Sequence, residues 1–121
     1  YKLSLYFDNK DYYQKSKQML DNMSKKMHEN LPYFANWAKL ALAFAQEPFQ
    51  VAIVGNDCDA RRKELDQNYL PNMLLMGEKN GGTLSLLEDK NIAGQTTIYV
   101  CQNKSCKRPV ISTKEALELM R

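Results

Sequence analysis

Cys101 and Cys106 bracket the polar segment Gln102-Asn103-Lys104-Ser105 and follow directly on the β-branched and aromatic run Thr97-Ile98-Tyr99-Val100. A buried strand that delivers a thiol to a polar loop is the best place in this chain for chemistry, and four readings compete for it. A zinc site needs thiolates or imidazoles at knuckle spacing, and Cys58 with the distant His28 does not complete one. A redox pair or disulfide is allowed if the two Cα atoms close to about 6 Å. However, the spacing departs from the two-residue separation of dithiol oxidoreductases, and no helix begins right after Cys101 to lower its pKa. A phosphate- or sulfur-handling loop would close on an arginine and run into a helix. Here Lys107 and Arg108 come late and Pro109 follows. The plainest reading is a pair of structural thiols with a small buried role.

Other candidates come from the rule that open α/β sheets gather ligands beyond the carboxyl ends of their strands. Those ends are expected at Gly55-Asn56-Asp57-Cys58, at Met76-Gly77-Glu78 and from Cys101 to Lys107. Asp57, Cys58, Glu78 and Lys107 are therefore the binding candidates, and Asp57, Asp59 and Glu78 are the carboxylates available for acid/base work. Asx residues ahead of a helix are more often caps, and Asp57 and Asp59 are expected in that role. Asn80-Gly81-Gly82 lacks the spacing of a dinucleotide loop and is followed by no phosphate-binding Lys-Ser/Thr. Arg61-Arg62-Lys63 reads as a solvated helix face, and His28 as the basic end of a helix.

The elements that position these residues follow from hydrophobic spacing. Tyr1 to Tyr6 alternates weakly, as a stub strand or a disordered lead. From Asn9 to His28, Tyr12, Tyr13, Met19, Leu20, Met23 and Met27 form one stripe, expected to be core, opposite Lys15, Lys17, Lys25 and Lys26. After Asn30-Leu31-Pro32 a second helix, Tyr33 to Gln46, is apolar almost all round, with Trp37 at its core or at a seam with a partner. Such a helix needs neighbours on most sides. Phe49–Val54, Met73–Met76 and Thr97–Cys101 read as strands buried on both faces. Between the strands, a charged helix from Ala60 to Tyr69 turns Leu65 and Tyr69 inward, and Leu84 to Leu87 forms a helical turn. Ser112 or Thr113 caps a last helix ending at Met120. The fold class is α/β: an N-terminal helical hairpin (1–48), then a small three-stranded parallel sheet with crossover helices (49–121).

Bulk properties narrow the partners. The 121 residues carry 17 Lys and Arg against 14 Asp and Glu, a net charge of +3 with the cations scattered among acids. A nucleic-acid or anionic-membrane partner would call for a concentrated basic face. Neither is expected, nor is a cofactor. Three cysteines and no leader sequence point to reduced thiols in the cytoplasm. Tyr1 in place of an initiator Met reads as a chain cut from a longer one. The second helix agrees, since its apolar girth predicts an open patch around Phe34, Trp37 and Leu40–Phe44, or self-association that hides it.

Val51-Ala52-Ile53-Val54-Gly55, Leu70-Pro71-Asn72, and Thr97-Ile98-Tyr99-Val100-Cys101 with Cys106 and Pro109-Val110 together resemble the C-terminal end of a known family. These are the thioredoxin-domain-containing proteins, the spermatogenesis-associated ones among them. In this family a thioredoxin-like domain precedes a six-hairpin α/α toroid similar to that of N-acylglucosamine 2-epimerase. The resemblance covers most of the chain and is strongest from Phe49 to Val110. It implies that the two N-terminal helices close the toroid and that the α/β part is appended to it. The upstream toroid and the thioredoxin-like domain would then be the partners. No epimerase histidine carries over; Cys101 and Cys106 are the only family positions that do. The expected function is a non-catalytic structural or interaction module. The alternatives are a thiol/disulfide component using Cys101 and Cys106, or a carbohydrate-binding or sugar-processing accessory domain.

Overall fold

A computed structural model describes residues 1–80 and 82–121, which divide into two compact units, Tyr1–Glu47 and Pro48–Arg121. The first unit is helical. Helix α1 (Lys2–Tyr6) occupies the stretch expected as a strand stub or disordered lead. Its Ser4 hydroxyl bonds back to the Tyr1 carbonyl at 2.6 Å, a local satisfaction that a strand would not offer. Asp8, at φ 46°, turns the chain into α2 (Lys10–Glu29). There Asn9 caps the helix by accepting from the Tyr12 N–H at 2.9 Å. A 3-10 turn over Leu31–Phe34, with Pro32 near its start, leads into α3 (Ala35–Ala45).

Aromatic contacts hold these helices together. The Tyr1 ring lies 4.4 Å from Phe44, and Tyr13 meets Phe44 edge-on at 5.3 Å. The Tyr1 hydroxyl donates to the Ala43 carbonyl at 3.0 Å. Burial, and then the Glu47 charge, push its pKa up to about 12. The stripe of α2 is not the core it was expected to be. Tyr12, Tyr13 and Met19 are exposed, and the buried residues of α1 and α2 are serines, Ser4 and Ser16.

The second unit is an α/β fold with a four-stranded mixed sheet in the order β2-β1-β3-β4. The strands are β1 (Phe49–Val54), β2 (Met73–Glu78), β3 (Thr97–Gln102) and β4 (Ser105–Cys106); the helices are α4 (Cys58–Asp66) and α5 (Thr113–Leu119). The first two strands are parallel, in register from Phe49 opposite Met73 to Val54 opposite Glu78, with α4 as the crossover. The third departs from the all-parallel expectation: β3 runs antiparallel to β1, with Val54 opposite Thr97 and Gln50 opposite Cys101. The physical reason is in the connection. The crossover that returns a chain to the starting end of a sheet is usually a helix, and among the described residues the stretch between β2 and β3 forms turns and one isolated bridge, with no helix. The chain therefore re-enters the sheet from the end where β2 left it. Asn80-Gly81-Gly82 belongs to this stretch, and Gly81 lies outside the described residues.

Strand pleating sorts the side chains into two layers. Val51, Ile53, Ile98 and Val100 face α4 and α5 and pack with Cys58, Leu65, Val110 and Ala116. Each such fully buried aliphatic side chain contributes roughly 1.5–3 kcal/mol. The opposite face carries Gln50, Ala52, Val54, Leu74, Met76, Thr97 and Cys101, all buried. Tyr99 on that face donates its hydroxyl to the Lys90 carbonyl at 3.0 Å, tying down the connecting segment. Tyr69, expected to face inward, is 91% exposed. Helix α4 ends at Asp66, so the periodicity that buries Leu65 does not reach it.

Helix α5 begins with a capping box. Ser112 Oγ accepts from the Glu115 N–H at 3.3 Å and donates to Glu115 Oε2 at 2.8 Å. That hydrogen bond, with Arg108 nearby, holds the Glu115 carboxyl below its usual range. No helix among the described residues is long and apolar enough to cross a membrane.

Candidate functional site

The reversal of β3 separates the candidate residues. Its carboxyl end lies beside the start of β1, so Cys101, Cys106 and Lys107 stand at one end of the sheet and Asp57, Cys58 and Glu78 at the other. The strand-end expectation that gathered them rested on three parallel strands, and it fails with them.

At the Asp57 end the geometry is structural. Gly55, at φ 133°, lets the chain leave β1, and its N–H donates to the Glu78 carbonyl at 3.0 Å. Asp57 sits at the N-cap of α4, yet its side chain makes no cap hydrogen bond, contrary to expectation. Its backbone N–H donates instead to Thr96 Oγ1 at 3.0 Å, and its carbonyl accepts from Arg61 N–H at 3.0 Å. Asp59 occupies the first turn of the helix, where its charge suits the dipole. The Glu78 carboxylate accepts from the neighbouring Lys79 N–H at 2.9 Å. Cys58 is a free thiol packed in the helix-side layer. Cys101 belongs to the other face of the sheet, so the two thiols lie in different layers. Among the described residues, no group of three or more His, Cys, Asp or Glu side chains is gathered closely enough to hold a metal ion.

The opposite end is a hairpin. Asn103 and Lys104 adopt φ 51° and 61°, the doubly left-handed pattern of a two-residue turn whose twist matches the flanking strands. That turn fixes the register, with Gln102 opposite Ser105 and Cys101 opposite Cys106. The next pair is joined by the Lys107 N–H to the Val100 carbonyl at 2.9 Å. Cys101 and Cys106 thus occupy a narrow, non-hydrogen-bonded pair, where facing side chains lie closest. The structure joins them as a disulfide, with Cα atoms 3.9 Å apart.

The two halves of this bridge differ in access. Cys101 is 2% exposed in the body of β3, whereas Cys106 is exposed on the edge. The two cations that follow Cys106 in sequence are engaged by α5 and β1. Lys107 Nζ donates to the Leu119 carbonyl and lies 5.8 Å from the Phe49 ring centroid, and Arg108 is 3.5 Å from Glu115. Of the four sequence readings, the disulfide is the one this hairpin realises. The turn carried the signal that was missed: four residues between two cysteines are what a two-residue hairpin loop plus one strand pair requires.

The helical unit holds a second feature. None of the α3 residues is buried, although nearly all are apolar. Leu42 is 65% exposed, and Leu31, Pro32, Ala35, Ala38, Lys39 and Leu42 line an open groove of about 440 Å³. The groove's only charge, Lys39, is also its only polar side chain.

A second cluster not foreseen from sequence ties α4 to α5. Thr113 Oγ1 donates to Glu64 Oε2, and the Arg61 guanidinium reaches the same carboxylate at 3.1 Å. The Thr113 hydrogen bond, then that of Arg61, lowers the Glu64 pKa. This cluster joins two helices. Comparisons with protein-family models, with curated proteins and with solved structures return no match to this chain.

Proposed function

We propose that this chain is a structural and interaction module, non-catalytic by itself, that lays the apolar face of its helical unit against the helices of a larger, cytoplasmic protein. The observation that carries this reading is α3: an 11-residue helix, apolar on nearly every side, with no residue buried. Ala35 and Ala38 keep the groove floor shallow, so a second helix can approach closely, and Leu31 and Leu42 flank it. Open aliphatic surface of this kind marks an interaction site more often than a free surface. The toroid implied by the sequence resemblance supplies an occupant of matching chemistry, namely further apolar helices packed side by side. The α/β unit, with its own buried core, is then the appended cap.

The test is sedimentation velocity over a wide concentration range, together with binding of an anilinonaphthalene sulfonate dye, on the chain and on Leu42→Glu. The expected result is dye binding or concentration-dependent association in the parent chain and loss of both in the variant. A parent chain that stays monomeric and binds no dye overturns the proposal.

A further inference from the structure

We infer that the Cys101–Cys106 bridge is an exchangeable disulfide that opens by attack at Cys106, so that the β3–β4 hairpin is a thiol–disulfide exchange site for an external dithiol or small thiol. Two observations converge on it. The first is register. The bridge spans directly opposed residues of a narrow pair, and its Cα separation of 3.9 Å is shorter than the usual span of roughly 4.4–6.8 Å. A bridge that crowds its two strands is more easily opened than one at relaxed spacing. The second is asymmetry. An attacking thiolate needs access to one sulfur, and here only the Cys106 side is open, on a two-residue edge strand.

The exchange balances as follows. A reductant thiolate attacks Cys106 Sγ and forms a mixed disulfide there. The Cys101–Cys106 bond breaks, and its electron pair goes to Cys101 Sγ, which takes up a proton. The second thiol of a dithiol, or a second molecule of a monothiol, then attacks the reductant's own sulfur in the mixed disulfide. Cys106 is released and takes up a proton. In sum, the two reductant thiols are oxidised to one disulfide, and the bridge is reduced by two electrons and two protons. Little else must move. Val110 still pairs with Ile98 through hydrogen bonds of 2.7 and 3.0 Å, so the strand path beyond the hairpin stays anchored.

The experiment uses the full chain carrying Cys58→Ser, so that only the bridge reports. It is equilibrated without denaturant in dithiothreitol and in glutathione redox buffers, then quenched with a maleimide and mapped by peptide mass spectrometry. The expected result is reversible reduction under native conditions, with the glutathione adduct on Cys106. In single variants, the Cys106 left by Cys101→Ser should react with maleimide faster than the Cys101 left by Cys106→Ser, by on the order of tenfold or more. A bridge that dithiothreitol opens only in denaturant overturns the inference. So does an adduct on Cys101, or a dithiol that glutathione disulfide never closes.

Discussion

Replacing Thr97 with valine should make the α/β unit more stable. Thr97 is 2% exposed, and its Oγ1 is buried with no hydrogen-bond partner among the described residues. An unpartnered buried hydroxyl forfeits its hydration for nothing, at a cost of roughly 1–3 kcal/mol. Valine keeps the β-branched shape and the restricted χ1 that suit a strand. It also replaces the hydroxyl by a methyl, which gains about 0.8 kcal/mol on burial. Cross-strand, Thr97 faces Val54, itself fully buried, so the new methyl meets an aliphatic neighbour. Allowing for imperfect fit, the expected gain is about 1–2 kcal/mol. For a unit of this size each kcal/mol raises Tm by roughly 4–8 °C. Trp37 lies in the helical unit, so tryptophan fluorescence does not report on this change. The suitable assay is native-state hydrogen exchange at the Val51 and Ile53 amides, supported by urea denaturation followed by circular dichroism. A Thr97→Val chain destabilised by more than about 0.5 kcal/mol refutes the reasoning, because the hydroxyl must then be bonded.

Two further predictions concern the same unit. Gly55→Ala places a Cβ 2.5 Å from the Thr96 Cα at φ 133°, so backbone must shift. A loss of roughly 3 kcal/mol by urea denaturation is expected, and a loss under about 1 kcal/mol would contradict the clash. The Glu64 and Glu115 carboxyls titrate below their ordinary value of 4.5, held there first by the Thr113 and Ser112 hydroxyls respectively. Because the folded pKa is depressed, the stability they add is present above pH 4.5 and is lost as pH falls through the folded values. A Glu64→Gln, Glu115→Gln chain should therefore lose less stability than the parent on acidification. Parallel curves for the two would remove these groups as the cause.

Much of this architecture was legible because the apolar runs Phe49–Val54, Met73–Met76 and Thr97–Cys101 have few other uses. Strand direction was not, since a run buried on both faces reads alike whichever way it points. The clue lay between the strands: 79–96 holds no helix-length amphipathic stripe, whereas the stretch before β2 supplies α4. In the first unit α2 and α3 were legible from their spacing, whereas the short α1 was not, and the burial of these helices was not legible either. A stripe such as Tyr12, Tyr13 and Met19 shows which side of a helix prefers an apolar neighbour, without showing that the same chain provides one. The six candidate site residues were chosen by proximity to strand ends, and one reversed strand was enough to divide them. The cystine hairpin was within reach, because Cys-x4-Cys around Asn-Lys fits a two-residue turn, but that turn lacks the glycine by which such loops are usually recognised.

The strand at the middle of the sheet is the first of the four to be synthesised. As the polypeptide leaves the ribosome, Phe49–Val54 emerges before either flank exists; β2 arrives next to cover one side, and the other stays bare until β3 has been translated. A greasy, uncharged six-residue segment with both edges unsatisfied is the kind of sequence that pairs with copies of itself. The interval between translation of β1 and β3 is therefore this protein's hazardous period, and its yield in cells depends on how quickly that interval is crossed or on what shelters the segment meanwhile.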